Sequence, residues 1–203
     1  MRKSFKDILM ILFFVTIGVF TRIIWHVGPN IEFVTAVSII AGYLLKSRSF
    51  LVPLMILMIT DIIIGNTIIF LFTWSAFLLA PILGIIVHKV QNKFAKNNIS
   101  KLFIGLIGTE AVGIFFTILF FLWTNLGVVL TTNMYPKTFD GLIQSYINAL
   151  PFLRNQLIGN GEFLSGNIFF VPIIFIASLL LFTFMNSFSN LNSKVKMQCH
   201  QLV

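Results

Sequence analysis

The sequence predicts an all-α polytopic membrane protein with six transmembrane helices, both termini cytoplasmic (N-in/C-in), and an amphipathic outer-face segment between helices 5 and 6. Three observations predict it. Of 203 residues, 58% are hydrophobic and only 10% charged; the apolar residues fall in long runs; and the basic residues are sorted to alternate loops. A soluble domain is nearly half apolar and a quarter charged, because it must cover its core with a polar skin. With a mean hydropathy of +0.98, lipid is the solvent for much of this chain. That excludes a soluble enzyme, a nucleic-acid-binding domain and a disordered polymer.

The apolar runs cover 8–25, 31–45, 50–64, 68–88, 102–124 and 163–185. About 20 helical residues cross the hydrocarbon core. The first run follows Arg2, Lys3 and Lys6, as a signal peptide would, but it is longer than a signal core and no small-residue cleavage site follows it, so it reads as a retained helix. The second and third runs are short. They either draw in flanking residues or form a tucked hairpin, whose turn Lys46-Ser47-Arg48 is too charged for lipid. The fourth and fifth runs are full-length. Glu110 lies inside the fifth beside Gly105, Thr109 and Gly113, a small-residue face that lets another helix approach closely. A protonated Glu110 hydrogen-bonded between helices is the simplest account of it, with no acid or His in line for a proton relay.

The segment from Asn125 to Glu162 is too polar to span. Phe139, Leu142, Ile143, Tyr146, Ile147 and Leu150 recur at helical spacing, with Asp140, Gln144, Ser145 and Asn148 opposite, and Pro151 ends the predicted helix. Such a helix can simply lie in the interface. The segment also carries Asn125, Asn133, Tyr135, Arg154, Asn155, Gln156 and Asn160, donors and acceptors suited to a polar small molecule. It therefore reads as a lid or wall over an outward-facing pocket. After the sixth run, residues 1–186 form one integral-membrane domain and 187–203 a polar, disordered cytoplasmic tail.

Charge sets the expected orientation. The net charge is +8, and an N-in chain places eleven Lys and Arg inside against Arg22, Lys137 and Arg154 outside, as the positive-inside rule requires. Apart from Asp7 and Glu110, the acids (Glu32, Asp61, Asp140, Glu162) lie at or beyond the outer helix ends. Arg22 and His26 share one face at the outer end of helix 1, followed by Gly28-Pro29-Asn30 and Glu32. Interfacial snorkelling with Asn30 as a cap accounts for them equally well. Asp61 near the outer end of helix 3 is costly in lipid unless paired or facing a cavity, and Arg22 or Arg154 is its natural partner. Cys199 is the single cysteine, so neither an intrachain disulfide nor a cysteine metal cluster can form. His88 and His200 stand isolated, and no cofactor is expected. No phosphate-binding loop, nucleophile elbow or zinc-protease motif occurs.

These residues resemble a family. Arg22, Pro29-Asn30, Phe33-Val34, Ala36 and Gly42-Tyr43, then Thr60-Asp61 and Gly65, look like a group of uncharacterised bacterial six-helix membrane proteins. Thr124 to Val128, Tyr135-Pro136-Lys137-Thr138, Gly141-Leu142, Tyr146, Ala149 to Phe152, Arg154-Asn155, Leu157 and Gly159 continue the match. Asn160 stands where the pattern has an acid. That group in turn resembles the substrate-binding S components of energy-coupling factor (ECF) transporters. The resemblance implies a multi-pass protein of the cell membrane, not itself an enzyme, that captures a micronutrient-type solute from outside. It also implies a separate ECF coupling subunit and ATPases as partners. Helix 1 differs from many S components, offering Thr16, Gly18 and Thr21 in place of their Ala-xxx-Ala docking surface. On this reading Arg22, Asn30, Asp61, Asn125, Tyr135, Tyr146, Arg154 and Asn155 line the site. The charged groups orient the solute, the amides hydrogen-bond it and the tyrosines stack on it. Alternatives are an outer-leaflet enzyme, with Asp61 or Glu32 as base and Arg22 or Arg154 as anion clamp, or a structural and assembly partner.

Overall fold

The computed structural model describes residues 3–25, 33–65, 67–159 and 166–201, with side chains to 188. Among these the chain is all helix: α1 (Lys3–Ile23), α2 (Val34–Leu45), a 3-10 turn (Lys46–Phe50), α3 (Leu51–Ile64), α4 (Phe70–Phe94), α5 (Asn98–Thr131), α6 (Phe139–Ile158) and α7 (Asn167–Gln201). Five stretches are long and apolar enough to cross a membrane: Ser4–Ile23, Val34–Ile64, Phe70–Phe94, Asn98–Thr131 and Asn167–Phe188. By helix length and hydropathy this is a multi-pass membrane protein.

The second of those stretches contains two of the six expected helices, α2 and α3. It is broken at the 3-10 turn, where Lys46 takes φ 55, and its arms α2 and α3 have 12 and 14 residues. At 1.5 Å per residue each arm rises only about 20 Å, short of the ~30 Å hydrocarbon. The tucked-hairpin alternative describes the pair. Two ion pairs fix its direction: Asp7 with Arg48 at 2.7 Å and Arg22 with Asp61 at 3.2 Å. They join α1 to α3 at both ends, so the two helices run parallel, with α2 returning between them.

Central in the bundle is α2. Eleven of its twelve residues are buried, as its sequence demands, since VTAVSIIAGYLL has no polar face to give to solvent. It crosses α4 at a contact that only glycine permits: a Cβ on Gly84 would lie 1.9 Å from the Ile39 carbonyl oxygen, and one on Gly42 2.1 Å from that of Pro81. Near its end, Gln91 Nε2 donates to the Tyr43 hydroxyl and to the Lys101 carbonyl (2.7 Å), tying α2, α4 and α5 together. The capping box Asn97–Ser100 starts α5, each side chain accepting from the other's backbone N–H.

Helix α5, 34 residues and about 51 Å long, extends well past the apolar run expected for helix 5. Its partner is divided. α7 packs on the first half, where Asn167 Nδ2 donates to Thr117 Oγ1 at 2.8 Å and Val171 fills the notch over Gly113. α6 packs on the second, where Tyr146 Oη donates to the Leu122 carbonyl at 3.2 Å. α6 runs through Pro151 to Ile158, so Pro151 does not end it; proline removes one hydrogen bond, and the turns on either side keep their contacts with α5. Likewise α7 continues to Gln201, so the polar stretch expected to be disordered is helical.

Burial on α6 follows its small residues rather than its apolar ones. Gly141, Ser145, Ala149 and Gln156 face inward, while Phe139, Ile143, Ile147 and Leu150 are exposed. Small residues let α6 approach α5 closely, and Asp140, Gln144 and Asn148 are exposed along with the apolar residues. The crossing of α2 and α4 gives the first prediction. Gly84→Ala drives a methyl into backbone and should destabilise the protein by at least about 1–3 kcal/mol. Ile107→Ala on a lipid-facing position, 64% exposed, should be close to neutral. Melting in detergent compares the two.

Candidate functional site

At the end away from Lys6, Arg48 and Lys93, the last turns of α1 and α3 bring Arg22 beside Asp61. Arg22 Nη2 lies 3.2 Å from Asp61 Oδ1, with side chains 16% and 9% exposed. Arg22 Nη1 donates to Thr60 Oγ1 at 2.9 Å, and the fully buried Thr60 hydroxyl donates in turn to the Ile56 carbonyl at 2.8 Å. From α4, Trp74 Nε1 donates to Asp61 Oδ2 at 2.6 Å. The pairing expected between Arg22 and Asp61 is thus present, and the pair clamps α1, α3 and α4. Beside it a largely apolar recess of about 330 Å³, lined by Met58, Asp61, Ile62, Phe70 and Trp74, leads to the surface.

A second site lies between α5 and α6. Phe120, Phe121, Thr124, Asn125 and Val128 from α5 face Asn148, Ala149, Phe152 and Gln156 from α6 across a cavity of about 230 Å³, closed by Met134, Tyr135 and Ile69. The spacing explains the assembly: 120, 124 and 128 share one side of α5, and 148, 152 and 156 one side of α6. Its polar groups are partly engaged. Asn125 Nδ2 donates to the Phe121 carbonyl at 2.8 Å, Thr124 Oγ1 to that of Phe120 at 2.8 Å, and Asn148 Nδ2 to the Tyr135 hydroxyl at 3.3 Å. Gln156 is buried. Every lining residue is uncharged.

The eight predicted residues therefore do not form one pocket. Asn125 and Tyr135 line the cavity, whereas Arg22 and Asp61 form the clamp. Ile69 faces the cavity and Phe70 and Trp74 the clamp's recess, so the start of α4 separates the two sites. Tyr146 stands behind the cavity wall, its ring 5.8 Å from that of Phe121, and burial pushes its phenol above the ordinary value of 10.0. Arg154 is exposed and so is not the partner of Asp61. The Asn155 carbonyl accepts the Gly159 N–H at the end of α6; neither Arg154 nor Asn155 lines the cavity. Asn30, with His26, Glu32, Asn160 and Glu162, lies outside the described residues. Thr124, Asn148 and Gln156 were missing from the predicted site. Reading the i, i+4, i+8 rows of α5 and α6 for polar and aromatic residues, rather than charge, would have found them.

Elsewhere, Glu110 is half-buried on α5, with one carboxylate oxygen enclosed and without a hydrogen-bond partner among the described residues. The small face beside it is used for packing, since Gly105 abuts Phe175 and Gly113 abuts Val171. No group of three His, Cys, Asp or Glu residues that could hold a metal occurs among the described residues.

Residues 2–190 match a family of unknown function, DUF6580, and the chain belongs to that family. No curated protein and no solved structure matches it.

Two predictions arise from these sites. Removing one member of the clamp, as in Arg22→Met or Asp61→Asn, takes the ion pair from a largely buried partner and should cost on the order of 3 kcal/mol. The double variant Arg22→Met/Asp61→Leu should lose less than the sum of the two, and a double-mutant cycle on melting in detergent measures the coupling. For Tyr146, ultraviolet titration of wild type against Tyr146→Phe should show a phenol that ionises above pH 10. The unfolded chain releases that proton first, so the contribution is fully present below pH 10 and is lost as pH rises beyond it.

Proposed function

We propose that this protein is the solute-binding subunit of a membrane transport system, taking a small uncharged polar solute into the cavity between α5 and α6. One observation carries the reading. In a chain 58% hydrophobic, Thr124, Asn125, Tyr135, Asn148 and Gln156 converge on one partly open cavity walled by Phe120, Phe121 and Phe152. Aromatic walls with a few placed hydrogen-bonding groups are the usual make-up of a small-molecule site. About 230 Å³ is below the ~300–1,000 Å³ of drug-sized pockets, which suits a small metabolite. The absence of charge in the lining favours a neutral one, because an ion entering there would meet no countercharge.

In this reading the basic end is cytoplasmic, by the positive-inside rule, and the cavity opens toward the outside. The amides and hydroxyls hydrogen-bond the solute, and the phenylalanines cover its flat faces. The chain acts without chemistry of its own and depends on a separate coupling subunit and ATPases for energy, as in the ECF transporters its sequence resembles. Arg22 and Asp61 act on the solute only by fixing α4, which carries Ile69 into the cavity wall.

Purification in mild detergent followed by mass spectrometry of co-purified small molecules tests the proposal. A neutral solute should accompany the wild type, and Asn125→Leu and Gln156→Leu should each lower its occupancy about tenfold or more, the effect of leaving a polar ligand group unpaired. Arg154→Ala should leave occupancy unchanged. Wild-type occupancy in both cavity variants would refute the site.

A further inference from the structure

The opposite end of the bundle holds a second recess that the solute-binding reading leaves unused. Its origin is the shortness of α2 and α3. The turn joining them lies level with His88, and α4 continues to Phe94, roughly 9 Å further. The shortfall leaves a cavity of about 400 Å³, with the turn Lys46-Ser47-Arg48 as its floor and Ser4 and Asp7 of α1 and His88 of α4 as its walls.

Its chemistry is that of an anion site. Arg48 Nη1 donates to Asp7 Oδ2 at 2.7 Å, which orients a guanidinium still 48% exposed. Lys46 is exposed, and among the described residues it is the single non-glycine at positive φ. Its carbonyl is held by the Ser49 hydroxyl. A lysine in that backbone region is strained, and such strain persists where the surroundings impose it, commonly at ligand clamps. The His88 ring rests edge-on against Tyr43, centroids 5.4 Å apart, and its Nδ1 is enclosed with no hydrogen-bond partner among the described residues. Two cations against one carboxylate leave the recess net positive. An imidazole nitrogen and the hydroxyls of Ser4 and Ser47 supply further donors.

We propose that this recess binds a phosphate-bearing anion, supplied by the membrane as the headgroup of an anionic phospholipid. Arg48 donates to two phosphate oxygens, Lys46 adds charge, and the exposed Ser47 hydroxyl donates to a third. The recess opens within two helical turns of the end of α4, the depth at which headgroups lie, and basic pockets between transmembrane helices recognise such lipids.

The test uses the full chain in neutral detergent, melted with short-chain phosphatidylglycerol, phosphatidylcholine of the same chain length, or inorganic phosphate. Phosphatidylglycerol should raise the melting temperature by several degrees over phosphatidylcholine. Lys46→Gln, which keeps the Asp7–Arg48 pair, should weaken that response about fivefold in lipid concentration, and Arg48→Gln should abolish it. If inorganic phosphate alone gives the same Lys46-dependent shift, the anion site stands and its source is a soluble phosphate. Equal shifts with both lipids and none with phosphate would overturn the proposal, as would an undiminished phosphatidylglycerol response in Lys46→Gln. Lys46→Gln remains decisive should Arg48→Gln fail to fold.

Discussion

The architecture depends on one helix that has no outside. α2 is buried nearly throughout, and it can be so only because Gly42 and Gly84 let α2 and α4 touch backbone to backbone. In lipid the association of helices rests on such close packing and on internally satisfied polar groups rather than on hiding apolar surface. Around α2 the remaining helices are pinned by polar contacts at both ends, by Arg22–Asp61 with Trp74 at one and by Asp7–Arg48 and Lys6–Asn186 (2.5 Å) at the other. These few contacts hold the parallel alignment of α1 with α3.

Two consequences follow from the brevity of α2 and α3. The long helices α4 and α5 outreach them, so the bundle is hollow at its basic end. Beyond Thr117, where α7 begins, α5 is held by the start of α4, through Trp123 Nε1 donating to Ser75 Oγ at 2.9 Å and Phe72 against Gly127, and by α6. α6 covers it through Gly141, Ser145 and Ala149, leaving room for a cavity where Asn148, Phe152 and Gln156 stand off from Phe120 and Asn125. The site is thus a product of helix lengths as much as of side chains.

Much of this was legible in the residues. Arg22 and Asp61 stood out because a charge in or near lipid needs a partner, and each is the other's. Asn125 and Tyr135 stood out as polar groups in an apolar context. The charged residues Arg22, Asp61, Asp7 and Arg48 hold helices together, and the cavity between α5 and α6 has a neutral lining. Arg154, a conspicuous cation, is left exposed by the fold. On α6 the periodic pattern named two faces, yet the contact with α5 runs through the small residues Gly141, Ser145 and Ala149, while Asp140, Gln144 and Asn148 stay exposed.

By itself the sequence determined the solvent, the helical class, the sorting of basic residues to one end and the weakness of the second and third spans. Hydropathy and charge are sums over local residues, and the cost of placing them in lipid does not depend on the fold. Tertiary structure alone decided that the short pair folds as a hairpin around a buried α2, that Arg22 meets Asp61 rather than Arg154 doing so, and that α6 faces α5 through Gly141, Ser145 and Ala149. Those outcomes rest on distances between helices far apart in the chain, and a periodic pattern fixes a helix's faces without saying what each face meets.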